Sequence, residues 1–354
     1  VFLLTRTNTL DLWVGALFSA AKTLRPKKIT LSDIFTNCGL VVRRIGEKPL
    51  LPKKLSERQR HYGRDLLLHL PPGLSEMDFY RRYDKLAWVW NAELEFEPVN
   101  GKLLIRIMDQ PLKKVIPFEA PLPPEGMALP IPLGYSRAGL EWLDLAATPH
   151  FLIAGTPGSG KSNLLHCLCA SLYAHADVRI IDLKRLEFSY LRAQGIPVAA
   201  TEKEAAKALL ELNREMEATG CVKLQDYDGD MPFIVCVIDE LAELQDETCH
   251  GLLNRLLRLS RACGISIVAA TQRPSTNVIS GDSRANFAAK LCYRVADELN
   301  SRMVLGETCN RAAYLPPIPG RAVFKWDRTR EVQTMYLPVA EARKRLETHS
   351  VETA

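Results

Sequence analysis

Across the last two thirds of the chain, short uninterrupted apolar runs alternate with longer stretches whose apolar residues recur every three or four positions. The runs predict strands at 151–154, 178–182, 233–239, 265–271 and 288–295, and the periodic stretches predict helices at 162–173, 202–219 and 248–263. Strands without a polar face must be covered on both sides, and strands separated by helices of this length pair in parallel. An α/β domain over residues 133–340 is therefore expected. Ahead of it, residues 31–115 mix short helical and strand-like pieces, with helical periodicity over 79–94 and a strand at 102–107, which predicts a smaller α/β module. Between the two, residues 116–132 carry Pro117, Pro121, Pro123, Pro124, Pro130 and Pro132, the composition of a stiff linker. Residues 341–354 read as a tail.

Composition is that of an ordinary globular protein: 354 residues, 47% hydrophobic, net charge +5. The charge is uneven. Residues 1–60 hold 12 Lys or Arg against 4 Asp or Glu, a balance of +8 that leaves −3 for the remainder. That segment faces an anionic partner, nucleic acid or a membrane surface, or is simply a solvated basic face. Nine cysteines without a CxxC pair, mostly inside apolar stretches, indicate a reducing compartment, and Cys167 and Cys169, two apart on a helix, point different ways and make a poor metal site. No run of about 20 apolar residues spans a bilayer. Residues 1–30 read as a juxtamembrane or amphipathic segment: Leu10 to Leu24 followed by Arg25-Pro26-Lys27-Lys28 suits a chain that begins just after a membrane span, and equally a helix packed on its own domain.

The chemistry is concentrated at strand ends. Gly155-Thr156-Pro157-Gly158-Ser159-Gly160-Lys161-Ser162 is a complete GxxxxGK[ST] phosphate loop between an apolar strand and a helix. Such a junction aims backbone N–H groups and the positive helix end at nucleotide phosphates. Lys161 would reach the β- and γ-phosphates of ATP and Ser162 would ligate Mg²⁺. The apolar strand at 233–238 delivers Asp239-Glu240 to the edge where nucleotides bind in α/β sheets. Asp239 would hold Mg²⁺ through water and Glu240 would polarise the attacking water. Gln272, at the end of the strand at 265–271, is placed to report on the γ-phosphate or that water, or is a satisfied strand-end amide.

Several of these stretches carry a likeness to a family. Gly134-Tyr135, the stretch from Pro149 to Gly155, Ile181-Asp182-Leu183-Lys184-Arg185-Leu186-Glu187, the run TQRPSTNVISGDSRANF over 271–287, and Asn300-Ser301-Arg302 resemble, in order and spacing, the FtsK/HerA DNA-translocating ATPases. The likeness covers about residues 130–338. It implies a RecA-like P-loop NTPase motor domain, a hexameric ring threaded by DNA, and nucleotides lying between subunits. A subunit of such a ring borrows an arginine from its neighbour to stabilise charge on the γ-phosphoryl group. Arg261, in Ser260-Arg261-Ala262-Cys263-Gly264-Ile265, resembles the family's RAxGI arginine, with Arg302 second; either could be a helix-end cation or ion-pair member instead. Arg273 and Arg284 flank a loop similar to the family's channel-lining DNA loop, where cations grip phosphates without reading sequence.

Three departures bear on what carries over. Glu298 stands where chromosome-segregating members often have lysine, Pro157 replaces a common Thr, and only 16 residues follow Pro338, too few for an orienting winged-helix domain. Residues 31–115 bear a weaker likeness to the module ahead of the motor in FtsK-like coupling proteins of Gram-positive conjugative elements, the TcpA group. The resemblance thus implies an ATP-driven DNA translocase working as a conjugative coupling protein at the cytoplasmic face of the cell membrane, with DNA, single- or double-stranded, its own copies, and relaxase or secretion-channel proteins as partners. The alternatives are a double-strand translocase in chromosome or plasmid segregation and an ATP-binding scaffold that recruits a relaxase or channel.

Overall fold

A computed structural model of the chain describes residues 29–218, 233–275, 281–307 and 309–352, with side chains as far as Leu346. The amphipathic or juxtamembrane reading of residues 1–28 and the middle of the arginine-flanked loop, 276–280, lie outside these residues. Two compact units divide between Ile107 and Met108.

In the smaller unit, helix α1 (Leu31–Asn37) starts at a capping box in which Thr30 and Asp33 satisfy each other's backbone N–H groups. Strands β1 (Lys53–Arg60) and β2 (Gly63–His69) form a hairpin, followed by α2 (Glu76–Tyr80), α3 (Tyr83–Trp90), β3 (Glu93–Val99) and β4 (Lys102–Met108) in a sheet of order β1-β2-β4-β3. Phe35, Leu66, Leu68, Phe79, Leu86, Phe96 and Ile105 close its core. The helix predicted over 79–94 is two short helices and the start of a strand. Asn91 adopts φ 46°, a left-handed conformation that ends α3 and turns the chain into β3. Every residue of β1 is exposed, the polar dressing expected of an edge strand.

The larger unit holds a ten-stranded sheet of order β6-β5-β14-β13-β12-β7-β11-β10-β8-β9. Its elements run β5 (Pro130–Ser136), β6 (Gly139–Asp144), β7 (Phe151–Ala154), α4 (Lys161–Leu172), β8 (Ala176–Ile181), β9 (Val198–Ala199), α5 (Glu202–Ala218), β10 (Phe233–Ile238), α6 (Glu247–Leu259), β11 (Ile265–Thr271), α7 (Gly281–Asn286), β12 (Ala289–Tyr293), α8 (Glu298–Leu305), β13 (Arg321–Lys325), β14 (Thr329–Thr334) and α9 (Val339–Glu352). From β12 through β7, β11, β10 and β8 to β9 the pairing is parallel, and β13, β14, β5 and β6 extend it antiparallel. The continuous apolar runs follow from this burial. In β7, Phe151 and Ile153 join one core layer while Leu152 and Ala154 join the other; in β11, Val268 and Ala270 oppose Ile267 and Ala269 in the same way.

Two expected boundaries shift. The proline-dense stretch belongs to the larger unit: Ile116, Phe118, Leu129 and Ile131 are buried in its core, and Pro130 and Pro132 sit within β5. The chain is held there by Phe118 N–H donating to Tyr336 O (2.9 Å) and Tyr336 N–H to Ile116 O (2.7 Å). Prolines without donors are tolerated where short strand pairings leave the N–H side free. Of the residues read as a tail, 341–352 lie in α9, whose Ala342 and Leu346 are buried against the same core.

Candidate functional site

The phosphate loop leaves β7 at the C-terminal edge of the parallel strands and enters α4 at Lys161. Two glycines are required by close approach. A Cβ on Gly155 would come within 2.6 Å of the Tyr293 Cβ, and Gly160, at φ 116°, would place one 3.2 Å from the Gly320 nitrogen. The loop is tied from outside: Gly320 N–H donates to Ser159 O (2.8 Å), the Tyr293 hydroxyl to Gly160 O (3.2 Å) and Thr156 N–H to Arg294 O (3.1 Å). Such ties hold the loop open before any ligand arrives, which spares ordering entropy on binding.

Lys161 is buried and its ammonium donates to the carbonyls of Gly155 (2.7 Å) and Thr156 (3.0 Å). Burial pulls it down to about 8, against the pull of Glu240 and Asp239 in the other direction. The Ser162 hydroxyl faces Asp239 Oδ1 at 3.5 Å. Asp239 is pushed up to about 6, first by burial and then by the neighbouring carboxylates of Asp182, Glu187 and Glu240. Glu240, also buried, accepts the Gln272 N–H (3.0 and 3.1 Å) and the Lys184 ammonium (3.2 Å). The two acidic residues thus diverge at the strand end, Asp239 toward Ser162 and Glu240 toward β11.

A cavity of about 650 Å³ opens beside the loop, lined among others by Gly160, Lys161, Ser162, Gln272, Gly320 and Leu337. Gln272 therefore reaches the site with its side chain while its backbone holds Glu240. Asn163 pins the far wall, donating to Leu337 O (2.6 Å) and accepting the Leu337 N–H (3.3 Å).

The arginines are dispersed. Arg261 is exposed in the turn before β11, at the N-terminal edge of the sheet, beside His150. Arg302 pairs with Glu298 one helical turn away, and Glu298 also accepts the Tyr314 hydroxyl. Arg273 is exposed just past β11, its N–H donating to Thr271 Oγ1 (3.1 Å), and Arg284 is half-buried in α7.

Sequence reasoning gave no role to the loop after β8. Asp182, at the end of β8, accepts the N–H groups of Arg185, Glu187 and Phe188, and this turn brings Lys184 to Glu240 and Glu187 to the cavity wall. Glu187 is held below the usual carboxylate range chiefly by His166, with the Ser162 hydroxyl contributing. An apolar strand ending in a carboxylate at the same edge as Asp239 was the available signal.

The residues suit a magnesium nucleotide. The Ser159 hydroxyl is buried without a partner in the loop, the donor set of hydroxyl and carboxylate is hard, and the neighbouring carboxylates that add to the effect of burial on Asp239 are charges a divalent cation would offset. Among the described residues no group of three His, Cys, Asp or Glu could hold a metal by itself, in keeping with Mg²⁺ being held together with phosphates. No helix among them is long and apolar enough to cross a membrane.

Residues 124–227 match the FtsK/SpoIIIE family model. The chain is 36% identical to DNA translocase FtsK of Chlamydia muridarum and 35% identical to that of Treponema pallidum, matching 51% of this chain in each case and 27% and 26% of those proteins. It thus spans about a quarter of the length of these curated relatives. Among solved structures, the conjugation coupling protein TcpA of pCW3, in a monomer form with ATPγS, is 25% identical with a TM-score of 0.60, covering 89% of this chain and 97% of that one. EssC (ATPases 2 and 3) from Geobacillus thermodenitrificans, 20% identical with a TM-score of 0.59 over 69% of this chain and 52% of that one, shares the fold.

Proposed function

Taking as premise that this chain carries an ATPase domain of the FtsK/SpoIIIE family, we propose that it is an ATP-driven DNA translocase and serves as the coupling protein of a conjugative element. The observation that carries the reading is the juxtaposition of Ser162 with Asp239 beneath a pre-tied glycine loop, with Glu240 beside them. Lys161 neutralises the β- and γ-phosphates, Ser162 and, through water, Asp239 would hold Mg²⁺, and Glu240 orients the water that attacks the γ-phosphoryl group. Bound Mg²⁺ would supply charge neutralisation between the phosphate oxygens. Gln272, on the cavity wall, reads the γ-phosphate and passes its state to the residues after β11.

Arg261 completes the site of a neighbouring subunit in a hexamer, and Arg273 and Arg284 hold DNA phosphates in the channel. The similarity to TcpA over nearly the whole of both chains favours conjugative transfer over segregation, and with it a place at the cytoplasmic face of the membrane and relaxase or secretion-channel partners. Steady-state ATPase activity with single-stranded and with double-stranded DNA, beside a mass measurement of the assembly, tests this. DNA-stimulated turnover by a hexamer is expected. Nucleotide binding without DNA-responsive turnover would replace the motor with an ATP-binding scaffold.

A further inference from the structure

The turn that follows β8 enters the site opposite the phosphate loop, and its geometry is fixed by one side chain. Both Asp182 oxygens are used on backbone: Oδ1 accepts the Arg185 N–H (2.9 Å), and Oδ2 accepts those of Phe188 (3.0 Å) and Glu187 (3.3 Å). Arg185 itself stands at φ 59°, a left-handed conformation uncommon for any residue but glycine, and its N–H is held by that clamp. Lys184, one position earlier, is thereby presented to the strand end of β10. Its ammonium lies 3.2 Å from Glu240 Oε2 and 4.0 Å from Glu243 Oε1.

Glu240 is fully engaged in this arrangement. Besides Lys184, it accepts the Gln272 N–H on both oxygens and the Ala242 N–H on Oε1 (3.4 Å). A carboxylate has about four acceptor directions, and here protein donors take most of them. Moreover, Lys161, Ser162 and Gln272 line the cavity, whereas Glu240 is not among its lining residues. Before it can accept a proton from water in the cavity, Glu240 has to part from at least one donor. The backbone N–H of Gln272 is fixed by the end of β11. Lys184 is different: its side chain is 26% exposed against 4% for Glu240, and its flexible stem can carry a well-hydrated ammonium to solvent.

We propose that Lys184 is a positioning residue that holds Glu240 in a resting orientation against the Gln272 N–H, and that loss of this ion pair frees the carboxylate for the attacking water. The inference rests on the reading of Glu240 as the water-orienting group. It also makes this ion pair the point at which DNA acts on turnover: binding that draws Lys184 away from Glu240 frees the carboxylate, while the Gln272 N–H stays in place at the end of β11.

The test uses the full chain, with ATP turnover measured without DNA and with linear duplex DNA. Lys184→Met should raise the DNA-free kcat about tenfold, equivalent to about 1.4 kcal/mol, leave the KM for ATP unchanged, and bring the DNA-stimulated to DNA-free ratio close to one. Lys184→Arg, which restores the cation, should restore the DNA dependence. Lys184→Gln serves as a second neutral variant should the methionine impair folding, and binding of a fluorescent ATP analogue reports that each variant keeps an intact site. DNA-free turnover at or below wild type in neutral variants that bind the analogue normally would overturn the proposal. Adding Lys184→Met to Glu240→Gln separates the two readings. If Glu240→Gln alone leaves turnover intact, the role of Glu240 fails; if it abolishes turnover and Lys184→Met alone changes nothing, only the restraint fails.

Discussion

The two edges of the parallel sheet are built differently. At the C-terminal edge Lys161, Ser162, Asp182, Asp239 and Glu240 converge within one charged, buried cluster. At the N-terminal edge Arg261 is exposed in its turn, and His150 is buried, with Nδ1 accepting the Ile267 N–H (3.1 Å). Seven residues of β11 separate the edges, about 20 Å at the rise of an extended strand. Arg261 therefore cannot serve the nucleotide bound by its own chain. Under the proposed function, Arg261 can meet a nucleotide only on a neighbouring copy, in a head-to-tail arrangement of subunits.

The largest expected effect breaks that complementarity. Arg261→Ala should lower turnover about 10³-fold or more, the range for loss of an arginine supplied in trans, without weakening nucleotide binding. Mixing it with Lys161→Ala subunits, which bind nucleotide poorly, should restore part of the activity, because some interfaces then pair an intact site with an intact arginine. Absence of recovery in verified mixed rings would assign Arg261 a local role at its own edge. Next in size, Glu240→Gln should reduce hydrolysis about 10²- to 10⁴-fold while nucleotide binding persists, whereas Lys161→Ala should show its loss in the binding measurement itself. Equal losses of binding and turnover in both variants would erase the division of labour within the C-terminal edge.

A smaller effect concerns the segment that leaves this edge after Gln272. Reversing the charge of Arg273 and Arg284 together should weaken DNA binding and DNA-stimulated turnover and spare DNA-free hydrolysis, since neither residue lines the cavity beside the phosphate loop. Each lost phosphate contact lowers the salt slope by about 0.7 to 0.9. An unchanged slope would move the DNA grip to another surface, the basic segment before residue 60 being the first to examine.

How much of this was legible beforehand follows from what kind of contact each feature depends on. β7 and β11 were visible as unbroken apolar runs because both of their faces are buried, and the phosphate loop was visible because its constraints are local in sequence. Lys184 was not, since its importance comes from a partner 56 residues away that Asp182 brings near by folding the intervening turn. The proline-rich stretch misled for a related reason: proline density signals the absence of helix, but Ile116 and Phe118 are held by an isolated bridge to Tyr336, more than 200 residues on. Over 79–94 the helical periodicity fitted a single helix, whereas the chain breaks between Tyr80 and Tyr83 and turns into β3 at the left-handed Asn91.

The smallest effect belongs to the N-terminal edge and can be read without any turnover. Burial, with the charge of Arg261 second, pulls His150 down to about 4 from its ordinary 6.5. An unfolded chain then binds a proton that the folded chain excludes between these values, so the stability His150 contributes is present above about pH 6.5 and is lost as pH falls through 4. The slope reaches at most about 1.4 kcal/mol per pH unit. His150→Asn keeps an acceptor for the Ile267 N–H and tolerates the left-handed backbone at this position, φ 67°, so urea unfolding of that variant should depend less steeply on pH between 4 and 6.5. Arg261→Ala should shift the His150 midpoint upward, by less than burial lowers it, in an NMR titration of the imidazole. A midpoint that ignores Arg261 would show that its guanidinium does not face the imidazole.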